Sequence, residues 1–401
     1  MSDKIKICRR GLILGGLATS ALYGCNPAHI PRRRGSSSSA HANKRLIILE
    51  LDGGNDGLNT IVPFRDENYI RNRPSLALKK RDIIKLNEDT GFHENLSKIA
   101  DLYFNGEVAV IQGLGYPSPN LSHFKSTALW HVGGDGKRTR HEGWIAQAAQ
   151  DFISSPAAHG ISFSEEMGPF FHRDGIFISA RNVDQLKNIE LAKADVRKFQ
   201  SPAVSVVAKR AESLKYSLKA LRKHLRGWHQ QPNMPDDALG EQLAEIVKVI
   251  QSGAPVPVFS AKLSGFDTHS NQFYRHRRLM RQLNESIIST RNELLDSGHW
   301  NSTIILTTSE FGRRLMENKS RGTDHGTAAP HFIIGGSVNG GLYSDVPDLG
   351  NLGRNEDIKS TMDYRSVYNA IIEDYFGVRS KFSTYRDPRL KNLFKVQEQK
   401  S

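Results

Sequence analysis

The chain has 401 residues, 38% of them hydrophobic and 24% charged, with two cysteines and a formal net charge of +13. Such a length can bury a large core, as one big α/β domain or a domain with an insertion. After the leader no run approaches the roughly 20 apolar residues that span a bilayer, so the body reads as soluble and globular. The charge excess is local. Nine of the 55 Lys/Arg and one of the 42 acids (Asp3) fall within residues 1–45, which leaves 46 basic against 41 acidic side chains for the body. A body so nearly balanced does not argue for a polyanion partner, and without a dense basic-aromatic stripe it does not read as a nucleic-acid binder.

The first 25 residues, MSDKIKICRRGLILGGLATSALYGC, combine a basic start, a short apolar stretch from Leu12 to Leu22 and small residues before Cys25. That is an export signal, too short for a membrane span. Arg9-Arg10 followed by Leu12 and Ile13 resembles a twin-arginine signal, although Cys8 stands where Ser or Thr is usual. Leu22-Tyr23-Gly24-Cys25 resembles a lipobox, with Cys25 the candidate lipidation site; the alternative is cleavage nearby with Cys25 incidental. A cleaved body keeps at most one cysteine and holds no internal disulfide. Residues 26–44 read as a Ser/Arg-rich tether, able to rest on anionic head groups or simply solvated. The expected location is the periplasm or outer envelope, with a lipid anchor to the membrane where Cys25 is acylated.

The body, residues 45–385, alternates apolar runs with helical patterns, as in a doubly wound, mostly parallel α/β sheet. In chain order the expected elements are a strand at Leu46–Leu51, a helix at Glu94–Phe104, a strand at Val108–Gln112, and helices at Ser122–His131 and Gly143–Phe152. From about 185 to 252 the texture becomes helical and charged, with helices at Val204–Leu225 and Leu239–Gln251, and reads as a helical insertion. Then come a strand at Val256–Lys262, a helix at Asn271–Leu295, strands at Thr303–Thr308 and His331–Ile334, and a helix at Tyr364–Phe376. Residues 386–401 read as a polar tail. No internal repeat is present.

In open α/β sheets ligands bind beyond the carboxyl ends of the strands. Asp52 and Asp56 follow the first strand in LDGGNDGLN; Asp267 and His269 follow the third; Glu310 follows the fourth; Asp324 and His325 stand in GTDHG before the last. Carboxylate and imidazole together suit zinc, manganese or iron. Each motif alone has an ordinary reading: Asp267 as a helix cap, Glu310 as a partner of Arg313 or Arg314, Asp324 as a turn acid. Their coincidence at one edge makes the metal reading. Ser122, opening a helix where N–H groups and the dipole favour an anion, is either an N-cap or a metal-activated nucleophile. His123 beside it either contacts substrate or packs, and Arg313 either clamps an anionic oxygen or lies on the surface.

Together LELDGGNDGLNTIVPF, NLSHFKSTALW, GFDTHSNQ, TTSEFGRRLMENKSRGTDHGTAAPHFIIGG and DYRSVYNAIIEDYFG resemble the bacterial exported domain-of-unknown-function 1501 family, from about Arg45 to Phe376. That family is similar in fold to the alkaline phosphatase and sulfatase superfamily, whose members use two divalent metals. The resemblance implies metal roles for Asp52 (or Asp56), Asp267, His269 and His325, and a nucleophile near Ser122. Two departures stand out. Glu310-Phe311 occupies a block that usually reads Asp-His, and Asp267-Thr-His269 is tighter than the usual Asp-x-x-x-His. So either Asp324 helps hold the second ion, or one ion binds, or hydrolysis is lost. The expectation is a metal-dependent hydrolase of phosphate or sulfate esters, small or polymeric; the alternative is a non-catalytic envelope binding or assembly protein.

Overall fold

The computed structural model describes residues 43–137, 142–172, 174–189 and 202–395. The export signal with Cys25 and most of the tether lie outside the described residues. In chain order the strands are β1 (Arg45–Asp52), β2 (Ile61–Val62), β3 (Ile83–Lys85), β4 (Gly91–His93), β5 (Val108–Gly115), β6 (Gly160–Ser162), β7 (Phe177–Ser179), β8 (Val258–Ser264), β9 (Thr303–Thr308), β10 (Arg313–Glu317), β11 (Thr323–His325), β12 (Ala329–Gly335), β13 (Gly341–Tyr343) and β14 (Met362–Asp363). Nine build one sheet, in the order β13-β5-β12-β9-β1-β8-β6-β7 with β14 alongside β5. All run the same way except β12, antiparallel to both β5 and β9. The fold is therefore α/β with a mostly parallel sheet.

The side-chain alternation of β1 shows why the sheet is covered on both faces. Ile47, Leu49 and Leu51 enter one buried cluster with residues of the Ser97–Phe104, Ala238–Gln251 and Gln272–Asp296 helices. Leu46 and Ile48 enter the opposite cluster with residues of the Ala146–Phe152 and Tyr364–Ala370 helices. Leu239, Leu243, Ile246, Val247 and Ile250 of the 185–252 stretch are fully buried in the first cluster, so that helix forms part of the main covering layer.

Several boundaries differ from expectation. The last major helix changes to π geometry at Ile371–Tyr375, and the helix expected from Gly143 begins at Ala146. At the amino end of the body, Lys44 is buried and donates to the Tyr375 carbonyl at 2.6 Å. At the other end, the expected polar tail contains Leu390 and Leu393, both buried against the second cluster. Packed structure thus extends beyond residue 385.

Parallel strand direction puts the carboxyl ends of β1, β8 and β9 at one edge, where antiparallel β12 begins. The short β10–β11 pair leads into β12 there. Every segment carrying a candidate ligand thus reaches one rim of the sheet.

Three buried histidines outside the set of candidate ligands must stay neutral. Burial pushes His93 and His331 down to about 3 and His276 to about 4, the last despite the opposing charge of Asp56. The unfolded chain takes protons at these sites from about pH 6.5 downward and the folded chain does not. Their contribution is full above pH 6.5 and is lost as pH falls toward 4, at about 1.4 kcal/mol per pH unit for each residue. His123, whose pKa is raised, acts with the opposite sign, but it is one group against three. Urea midpoints should therefore fall markedly between pH 7 and 5; equal midpoints would contradict this linkage.

Candidate metal centre

Four side chains from three separated segments converge at that rim. His269 Nε2, His325 Nε2 and His123 Nε2 stand 3.1, 3.4 and 3.5 Å from one atom, Asp267 Oδ1. His269 Nε2 and His325 Nε2 are 2.9 Å apart. His123, Asp267 and His325 each offer a ligand atom, all within 4.8 Å of one another.

The opposite ring nitrogens decide what the converging ones carry. His123 Nδ1 donates to Glu310 Oε1 at 2.7 Å, His325 Nδ1 to the Leu121 carbonyl at 2.8 Å, and His269 Nδ1 to Asp324 Oδ1 at 3.2 Å. An oxygen acceptor on Nδ1 leaves Nε2 of a neutral ring with a lone pair, the arrangement that orients metal-binding histidines. Three lone pairs then point at one carboxylate oxygen. Two of them at 2.9 Å repel unless a proton or cation lies between. Among the described residues the buried His123 Nε2 has no hydrogen-bond partner. Burial lowers the pKa of His325, which favours its neutral form; the Glu310 hydrogen bond raises that of His123. A donor set of three imidazoles and one carboxylate fits a divalent transition ion such as zinc, manganese or iron.

The backbone of LDGGNDGLN is shaped for this rim. Gly53 has φ +118°, and a Cβ there would meet the Asp267 nitrogen at 2.3 Å. Gly54, at φ +78°, passes 2.5 Å from the Phe311 ring by the same measure. The Gly53 N–H donates to both oxygens of buried Glu310, at 2.9 and 3.2 Å. The turn glycines thus let two loops close on each other and help hold the acid that orients His123.

Arg313 binds the segments together. Its buried guanidinium donates to the Gly54, Thr323 and Phe266 carbonyls at 2.8, 2.9 and 3.1 Å, to Gly53, and to Asp267 Oδ1 at 2.8 Å. Burial raises the Asp267 pKa, but the Arg313 hydrogen bond and charge, with His269 and His123, hold it down to about 2. Arg313 is neither the surface residue nor the free anion clamp considered from the sequence: its donors are committed to backbone and Asp267.

The remaining candidates are placed as follows. Asp56 is fully buried, paired with Arg73 at 2.6 and 3.0 Å and accepting from Gln272 Nε2, so both its oxygens are taken and it is a structural acid, not a ligand. Arg73 outweighs burial and lowers its pKa. Asp52 accepts from Ser264 Oγ at 2.9 Å and lies outside the His/Asp group. Glu310 and Asp324 orient histidines rather than converging themselves. His123, expected to contact substrate, joins the cluster; its only sequence signal was position at a helix start behind a strand. Phe311, where the family resemblance implies an imidazole, is buried with its ring 4.9 Å from that of His123 and 4.6 Å from that of His325. Ser122 is exposed at the N-cap of the His123–Val132 helix, and its side chain caps nothing. Its neighbours on both sides are held, Leu121 by His325 and His123 by Glu310.

Residues 206–370 match the family described as Protein of unknown function (DUF1501). The DUF1501 match spans Asp267, His269, Glu310, Arg313, Asp324 and His325 and ends before the carboxyl terminus. A search of curated protein sequences finds no match. Among solved structures, the chain is similar to the lipoteichoic acid synthase LtaP from Listeria monocytogenes (8% identity, 88% of this chain and 77% of that one, TM-score 0.44). It is similar also to a protein in the alkaline phosphatase superfamily from Vibrio parahaemolyticus (11% identity, 86% and 69%, TM-score 0.38). A third is the C-terminal periplasmic domain of EcEptC from Escherichia coli, in complex with Zn (9% identity, 90% and 88%, TM-score 0.41). The assignment of fold rests on the sheet order itself.

Replacing Glu310 tests the orienting role directly. In Glu310→Gln one acceptor oxygen must serve both the Gly53 N–H and His123 Nδ1–H, so metal affinity should fall by about 10–100-fold. Competition with a chelator measures this; unchanged affinity would show that His123 needs no orientation.

Proposed function

We propose that this protein is an exported metal-dependent hydrolase of phosphate or sulfate esters, its centre held by His123, His269, His325 and Asp267. The observation that carries the reading is the convergence of three Nε2 lone pairs on Asp267 Oδ1, each ring fixed from behind by an oxygen acceptor. The leader supports export. Among the described residues no helix is long and apolar enough to cross a membrane.

When bound, a divalent cation supplies Lewis acidity, polarising an ester oxygen and lowering the pKa of an attacking hydroxyl or water. The chain's own residues supply position. Asp267 and the three imidazoles, from the loop after β8, from β11 and from the start of the His123–Val132 helix, hold the charge at the rim. Ser122 presents an uncapped hydroxyl at the amino end of a ten-residue helix, where backbone N–H groups favour an anionic group. That makes Ser122 the proposed nucleophile. The buried Glu310 adds negative charge behind the His123 ring.

Phe311 favours a centre with one ion. A phenyl ring packs against His123 and His325 where a further imidazole would be needed. The same observation carries the second reading, an envelope protein that keeps one ion and binds without turnover.

Elemental analysis of protein purified without added metal should find about one transition ion per chain in wild type and a large loss in His325→Ala and Asp267→Ala. Turnover on a panel of aryl phosphate and aryl sulfate esters should fall at least 100-fold in the same variants and in Ser122→Ala, the last with metal retained. Metal without turnover across the panel selects the non-catalytic reading. No metal in wild type, with none taken up on addition, removes both.

A further inference from the structure

The Gln272–Asp296 helix starts three residues beyond His269 and carries an unusual charge order. Its first thirteen residues, Gln272 to Asn284, hold Arg275, Arg277, Arg278 and Arg281 and no acid. Cations near a helix amino end oppose the dipole, so helix stability does not explain them. Arg277 is paired with Glu94. Arg275, Arg278 and Arg281 are exposed, and none of them is in an ion pair among the described residues. At 1.5 Å rise per residue they run along about 9 Å of one side, beginning beside Tyr274, which is 78% exposed.

The ridge adjoins the metal centre through the β10–β11 turn. Asn318 Nδ2 donates to the His269 carbonyl at 3.0 Å and to Asp324, and the helix's leading N–H groups, of Asn271 and Gln272, donate to the Ser320 and Arg321 carbonyls at 3.1 and 2.9 Å. Lys319 and Arg321 of that turn are exposed, and neither is in an ion pair among the described residues. A single ester group at the centre could not reach cations spread over this length.

We propose that Arg275, Arg278 and Arg281, continued by the Lys319–Arg321 turn, form a docking ridge for a soluble polyanion carrying repeated phosphate or sulfate groups, one of which lies at the metal centre. The substrate class is then a polymer, not a small monoester. This deepens, and for its orientation rests on, the hydrolase reading; the binding itself does not. Guanidinium groups match phosphate and sulfate oxygens bidentately. One aromatic side chain on the ridge supplies no row of stacking platforms of the kind single-stranded nucleic acid uses.

The test is binding of end-labelled inorganic polyphosphate and of dextran sulfate to the full chain, followed by fluorescence anisotropy over a range of salt. The variants are Arg275→Gln, Arg278→Gln and Arg281→Gln combined. The surface triple variant should keep its wild-type metal content and far-UV circular dichroism. Its affinity should drop at least tenfold, and its slope of log affinity against log salt should become shallower by about two to three. Polyanion binding lost in the triple variant, with no ester turned over by wild type, supports the ridge while removing the hydrolase reading. Equal binding by wild type and variant overturns the ridge. So does wild-type binding to phosphatidylglycerol vesicles with none to either soluble polymer, which would make the face a membrane contact.

Discussion

The buried guanidinium of Arg313 is the constraint on which the rim depends. It reaches carbonyls on the β1 turn, the loop after β8 and β11, and ends on Asp267. A buried cation is costly unless its donors are satisfied. Here the acceptors are carbonyls of three segments, so satisfying one charge holds three loops at fixed separations. Lysine, a point charge with no planar fork, has no equivalent geometry. The Asp267 carboxylate, held low in pKa by this pairing, then stands ready as an anion at the focus of three imidazoles.

Around that focus the protein builds inward from the acceptors. Glu310, Asp324 and the Leu121 carbonyl each accept a hydrogen bond from an Nδ1–H, and each is itself placed by another element: Glu310 by the Gly53 N–H, Asp324 by Asn318, Leu121 by the chain entering the His123 helix. The glycines at 53 and 54 are required because backbone and ring atoms occupy the space where a Cβ would lie. A site preassembled in this way spends little reorganisation when a ligand arrives, which is the general advantage of positioned groups.

Part of this was legible in the sequence. Strand-end reasoning picked out Asp267, His269, Glu310, Asp324 and His325, because a parallel sheet sends every strand tip to one edge. Hydropathy carries no strand direction, so the antiparallel course of β12 was invisible, and strands of two or three residues such as β2, β13 and β14 leave no period to detect. The two aspartates of LDGGNDGLN look alike in sequence, yet Asp56 is claimed by Arg73, seventeen positions on, and Asp52 by Ser264. The part of His123 depends on Glu310, 187 residues away, and that of Arg313 on carbonyls up to 260 residues away. Pairings at that separation are set by the fold and have no local signature.

The central claim is that one cation pocket is bounded by His123, His269, His325 and Asp267. Anomalous diffraction at the absorption edge of the bound metal, on crystals of protein purified without added metal or loaded with a zinc, manganese or iron salt, tests it most directly. The account predicts a single dominant peak enclosed by those four side chains, with Glu310 and Asp324 behind the rings. A peak at Asp52 or Asp56 with none among the three imidazoles, or no peak at the rim after loading, would contradict it.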